Sequence, residues 1–165
     1  MEHIYLRKAF SMLTALVVIV LMATVSIFVM NLSGKIVKST TLQYQHEQAE
    51  LYAKSYTEYA ILAVTGNNRS IDCLEDITGN IKIDKNSSVT VANGNGYRIR
   101  THIAYIANGS NVDLSKCSST RILSNSVSTS DTPLTILIDA YVDYKDPDNT
   151  SGPWLTVHRR SVQKI

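Results

Sequence analysis

His46-Glu47 lies in a run of helix-forming residues, where a zinc-peptidase helix would need a second histidine four residues on. The chain continues Gln48-Ala49-Glu50 instead, so the pair reads as polar helix surface. Asp143, Asp146, Asp148 and Asn149 gather hard oxygens of the kind calcium takes. They lack the twelve-position spacing that ends in Glu. The loop is therefore a weak calcium candidate, and a turn in which Asp caps backbone groups explains it more simply. Arg98, Arg100, Arg159 and Arg160 fall on strand-like segments near Asp139 and Asp143, and cross-strand ion pairs account for them. Ser11 and the loop serines have no base nearby in sequence. The chain carries no Gly-rich phosphate loop and no nucleophile elbow. This set of residues points to a non-catalytic protein without a cofactor.

Two other features concern covalent chemistry. Cys73 and Cys117 are the two cysteines, and an even pair in an extracytoplasmic domain reads as one disulfide. Closing a loop of that size would contribute about 4 kcal/mol in the chain-entropy model. Asp84-Lys85-Asn86-Ser87-Ser88 holds an Asn-x-Ser acceptor with an acidic residue two before it, which resembles the extended bacterial glycosylation sequon.

The element that must position all of this begins with an uncharged stretch from Ala9 to Gly34. Its core, Phe10 to Met30, exceeds the roughly 20 apolar residues that cross a bilayer as a helix. The remainder of the 165 residues is polar and is the size of one domain. A net charge of +2, with basic residues clustered only at Tyr97-Arg98-Ile99-Arg100 and His158-Arg159-Arg160, gives no direct nucleic-acid site. Arg7 and Lys8 before the span balance Lys35 and Lys38 after it, so the charge rule alone leaves orientation open. The short N-terminal flank and the paired cysteines favour a cytoplasmic N-terminus and an external domain.

A secretory signal has an apolar core of about 7–15 residues followed by a small-residue cleavage site. This core is longer and lacks that site. An uncleaved anchor carrying a periplasmic binding or sensor domain is one reading. The left edge of the run, Arg7-Lys8-Ala9-Phe10, resembles the leader of type IV pilins and type II secretion pseudopilins. That resemblance implies cutting between Ala9 and Phe10 by a prepilin peptidase, N-methylation of Phe10, and assembly with like subunits through the apolar helix. It implies an inner-membrane protein with a periplasmic domain, stored in lipid and incorporated into a filament of a secretion, pilus or DNA-uptake machine. Two positions depart from the family pattern. Ala9 stands where Gly is usual. Thr14, the fifth residue after the cut, stands where most members have Glu. That Glu is thought to neutralise a neighbouring subunit's N-terminal amine, whose burial without a partner is costly. A threonine hydroxyl can only bond back to a helix carbonyl. The departure points to a minor or tip-proximal subunit.

Residues 1–9 are thus expected to be a leader, 10–34 the transmembrane and assembly helix, and 35–66 its amphipathic half. Residues 67–165 are expected to be a disulfide-linked, β-rich part, giving an α+β, pilin-like fold with an antiparallel meander. Within the helix, Leu42, His46, Ala49, Ala53, Tyr56, Ala60 and Ala63 make one face. Tyr44, Gln48, Leu51, Ser55, Tyr59 and Leu62 make a second stripe beside it. Gly34 is a possible kink, and Gly66-Asn67-Asn68 supplies the stop. Strands are expected at Ile81–Ile83, Val89–Val91, Tyr97–Ile106, Leu134–Asp143 and Trp154–Val162. The Ser- and Thr-rich segment 118–133 reads as an exposed loop.

Overall fold

A computed structural model describes residues 3–86, 88–107, 112–126 and 134–165, with side chains from Met12 onward. The side chains of Ala9 and Phe10, together with Ser87 and 127–133 of the expected loop, lie outside the described set. The chain forms two compact units, Met1–Gln43 and Tyr44–Ile165. One helix, α1 (His3–Gly66), contributes to both.

The first unit is helix alone. It stays α-helical through Gly34. Every side chain from Met12 to Thr41 is exposed, and large apolar ones such as Met12, Phe28 and Met30 stand 69–77% open. Each would favour an apolar medium over water by about 1.5–3 kcal/mol. The segment is long and apolar enough to cross a membrane. Several of its hydroxyls turn inward to the backbone. Thr24 Oγ1 donates to Leu21 O and Ser26 Oγ to Met22 O, both at 2.8 Å, as a lipid environment demands of polar groups.

In the second unit, the helix from Tyr44 onward lies against a sheet built from β1 (Asp76–Ile81), β2 (Tyr97–Ala107), β3 (Ile122–Ser124), β4 (Leu134–Tyr144) and β5 (Leu155–Lys164). The order is β1-β2-β4-β5, antiparallel throughout. β3 adds in parallel beside Tyr105 and Ile106. The α+β class holds, with β3 as an interruption of the expected meander. Among the described residues β5 pairs with β4 alone and forms one edge of the sheet.

The strict alternation in β2 and β4 sends Tyr97, Ile99, Ile103, Tyr105, Leu134, Ile136, Ile138, Ala140 and Val142 toward the helix. Small residues meet them. Ala49, Ala53 and Ala60 are 0–1% exposed, and they allow the helix backbone to lie close over the large sheet side chains. The buried helix line is Gln45, Ala49, Ala53, Thr57, Ala60 and Val64, one residue around from part of the expected face. His46 is consequently exposed. The second stripe faces solvent, with Tyr44, Leu51, Tyr59 and Leu62 at 55–69% exposure.

Three sequence expectations change. Only Ile81 of the expected strand Ile81–Ile83 is paired, as the last residue of β1; Lys82 and Ile83 follow it outside the sheet. Val89–Val91 is not a strand; Val91 opens a 3-10 turn, Val91–Asn93, and buries its side chain from there. The expected loop 118–133 contains β3. Gly96 (φ +131°) permits the entry to β2, because a Cβ there would strike the Ile81 carbonyl.

Cys73 and Cys117 form a disulfide, their Cα atoms 5.0 Å apart across 44 residues. It joins the segment after α1 to the turn before β3, beside the Ile103–Tyr105 core. Two measurements test this core. Replacing both cysteines with Ala should lower unfolding stability by about 4 kcal/mol in denaturant titration, and reduction of the native chain should do the same. Thr101 is fully buried, and its Oγ1 has no partner among the described residues. Thr101→Val should therefore stabilise the domain by about 1 kcal/mol.

Candidate functional site

With the helix on one face, the opposite face of the sheet receives the outward residues of each strand. On β2 these include Arg98, Arg100 and His102, and on β4 Asp139, Tyr141 and Asp143. β5 adds Thr156, His158 and Arg160, and β1 adds Asp76.

Asp143 is the hub. It is 1% exposed, yet both its oxygens are engaged. Arg98 donates to Oδ2 through Nε (3.0 Å) and Nη2 (2.9 Å), Arg100 donates to the same oxygen through Nε (3.2 Å), and Thr156 Oγ1 donates to Oδ1 (2.7 Å). Burial pushes the Asp143 pKa up, but the Thr156 hydrogen bond and the two guanidinium charges outweigh it. They hold the carboxyl below its ordinary value. Arg98 also lies 4.4 Å over the Trp154 ring, and Arg100 lies 5.8 Å from the Tyr141 ring. Tyr141 stacks on His158 at 4.4 Å. His158 Nε2 meets Asp139 Oδ1 at 2.7 Å, and Arg160 forks onto both Asp139 oxygens at 2.8 and 2.9 Å. The Arg160 hydrogen bonds lead the causes that lower the Asp139 pKa. At the other end, Asp76 binds His102 and Arg121. Burial opposes ionisation of Asp76, and those two partners outweigh it.

The cross-strand ion pairs are thus present for Arg98, Arg100 and Arg160. Arg159 is different. It sits opposite Ala140 and shares the helix-facing side of β5, away from Asp139. His46 contacts Tyr144 Oη (3.3 Å) and Glu50 (3.5 Å), and it forms no metal helix.

The calcium candidate residues divide their work. The Asp143 charge is met by arginines, and Asp146 Oδ1 accepts from the Asp148 N–H (2.9 Å) in a local turn. The Asn149 N–H bonds the Asp146 carbonyl (3.1 Å). Among the described residues no three His, Cys, Asp or Glu side chains converge as a metal-binding group. Asn86 is exposed in a turn, its N–H bonded to Asp84 Oδ1 (2.9 Å). The sequence reading missed His102, Asp76, Arg121 and Trp154. The i, i+2, i+4 spacing of Arg98, Arg100 and His102 carried a signal for the first of these. Asp76 could not be found before β1 was known.

Depressed carboxylate pKa values make stability acid-sensitive with a definite sign. Asp76, Asp139 and Asp143 contribute fully above the unfolded carboxylate pKa of about 3.9, and the contribution fades as pH falls through their lower folded values. Asp143→Asn should cost about 2 kcal/mol at pH 7, since it leaves two half-exposed arginines without their buried partner. As pH falls through the lowered folded value of Asp143, the variant and the native chain should converge in urea-unfolding midpoint. A constant gap across pH would contradict the assignment.

Compared with protein-family models, curated proteins and solved structures, the chain matches none.

Proposed function

We propose that the chain is a minor pilin-like or pseudopilin subunit of a type II secretion or type IV pilus-like machine, with an assembly role rather than a catalytic one. The observation that carries the reading is the composition of α1. Its first part is uncharged, apolar and fully exposed from Met12 onward, and its last part presents alanines to an antiparallel sheet. An apolar helix of this length stays out of water either in lipid or against other apolar helices. Both are available to a subunit that waits in the inner membrane and then joins a filament.

On this reading a prepilin peptidase cuts between Ala9 and Phe10, and Phe10 becomes the N-methylated first residue. The N-terminus faces the cytoplasm and the disulfide-bonded domain the periplasm, which is the compartment where such bonds persist. Thr14, lacking the carboxylate that would pair with a neighbour's amine, fits a subunit with few or no subunits above it.

N-terminal mass spectrometry of the chain purified from cells with an active prepilin peptidase tests the proposal. The expected product begins at N-methyl-Phe10. A product still beginning at Met1 overturns the reading in favour of an anchored periplasmic binding or sensor domain.

A further inference from the structure

We infer that the outer face of the sheet carries a binding site for an acidic saccharide, centred on Trp154. A pocket of about 310 Å³ opens there, at the lower end of the range for small-molecule sites and large enough for one ring. Its lining includes Trp154, Arg98, Lys82, Asn80, Thr90 and Val91.

The chemistry of the lining selects the ligand. Trp154 and the exposed Ala92 offer apolar surface to the C–H face of a sugar ring. The Asn80 amide and the Thr90 hydroxyl provide both donors and acceptors, which suits ring hydroxyls. Arg98 and Lys82 bring two cations to the same wall. Arg98 commits Nε and Nη2 to Asp143, and among the described residues nothing engages Nη1. Its guanidinium is therefore fixed in place, stacked on Trp154, with donor capacity left for a second carboxylate.

The surroundings are already ordered. Asn95 fastens the loop that carries Thr90 and Val91. Its Nδ2 donates to Val89 O (3.0 Å) and Asp84 O (3.1 Å), and its Oδ1 accepts from the Asp84 N–H (3.1 Å). Lys145 Nζ, 5.2 Å from the indole centroid, donates to Thr150 O (2.7 Å) and braces the β4–β5 turn. A preformed wall lowers the ordering cost of binding.

Trp154 is the sole tryptophan, so its fluorescence reports on this pocket alone. The full chain in detergent is titrated with galacturonic acid, galactose and acetate. A saturable emission change with galacturonic acid is expected, with galactose at least about tenfold weaker because it lacks the charge-assisted contact. Acetate, which has the charge but no ring, should be weaker still. Lys82→Gln should weaken galacturonic acid binding about tenfold, and Arg98→Gln should abolish it. An equal response to acetate reduces the site to a simple anion contact and overturns the proposal. So does an equal response to galactose, an absent response to galacturonic acid, or unchanged affinity in Lys82→Gln.

Discussion

A single helix can cover only one face of a sheet, and much of the second unit follows from that constraint. The covered face is solved by size. Alanines at 49, 53 and 60 let the helix approach, and tyrosines and isoleucines from β2 and β4 fill the gap. The uncovered face cannot be apolar without exposing a patch, so it is closed by charge. Three carboxylates, at 76, 139 and 143, each hold two arginine or histidine side chains, and aromatic rings lie between the groups. Exposed ion pairs are individually weak, but Asp143 is buried and shared by two arginines, which fixes β2, β4 and β5 in register.

The apolar first unit obeys the opposite logic. It carries no charge from Met12 to Gly34, and Thr24 and Ser26 bond to its own backbone. The exposed stripe of Tyr44, Leu51, Tyr59 and Leu62 extends the same character into the second unit in diluted form.

Much of this was legible from the residues. The two-residue period of β2 and β4 is so regular that buried and outward positions could be assigned along both strands. The cysteine pair was read from count and compartment. β1 escaped because Asp76-Ile-Thr-Gly-Asn-Ile81 has polar outward residues and a glycine facing Tyr56, which leaves too little apolar alternation to see. β3 is three residues long and exists only by pairing with β2. Arg159 and Arg160 were grouped by proximity, although adjacent strand residues must point to opposite faces. Gln45 and Thr57 occupy the buried helix line because position, not polarity, decided it; Thr57 makes this tolerable by bonding Ala53 O at 2.7 Å. The Trp154 pocket needed the turn before β5 to be placed beside β1 and the Thr90 loop, which no periodicity encodes.

The free edge of β5 has a consequence for crowding. A bare strand edge is a template for pairing with an identical edge, and repeated pairing builds aggregates. β5 carries Arg159, Arg160 and Lys164 and no acidic residue, so two such edges brought together place like charges side by side. Asp139 offsets only the outward Arg160. The protection is electrostatic and therefore conditional. It reaches about 8 Å at physiological ionic strength and contracts to about 3 Å at 1 M salt. High salt would weaken the barrier between edges while leaving the covered core intact, so colloidal stability and folding stability of this domain respond to different variables.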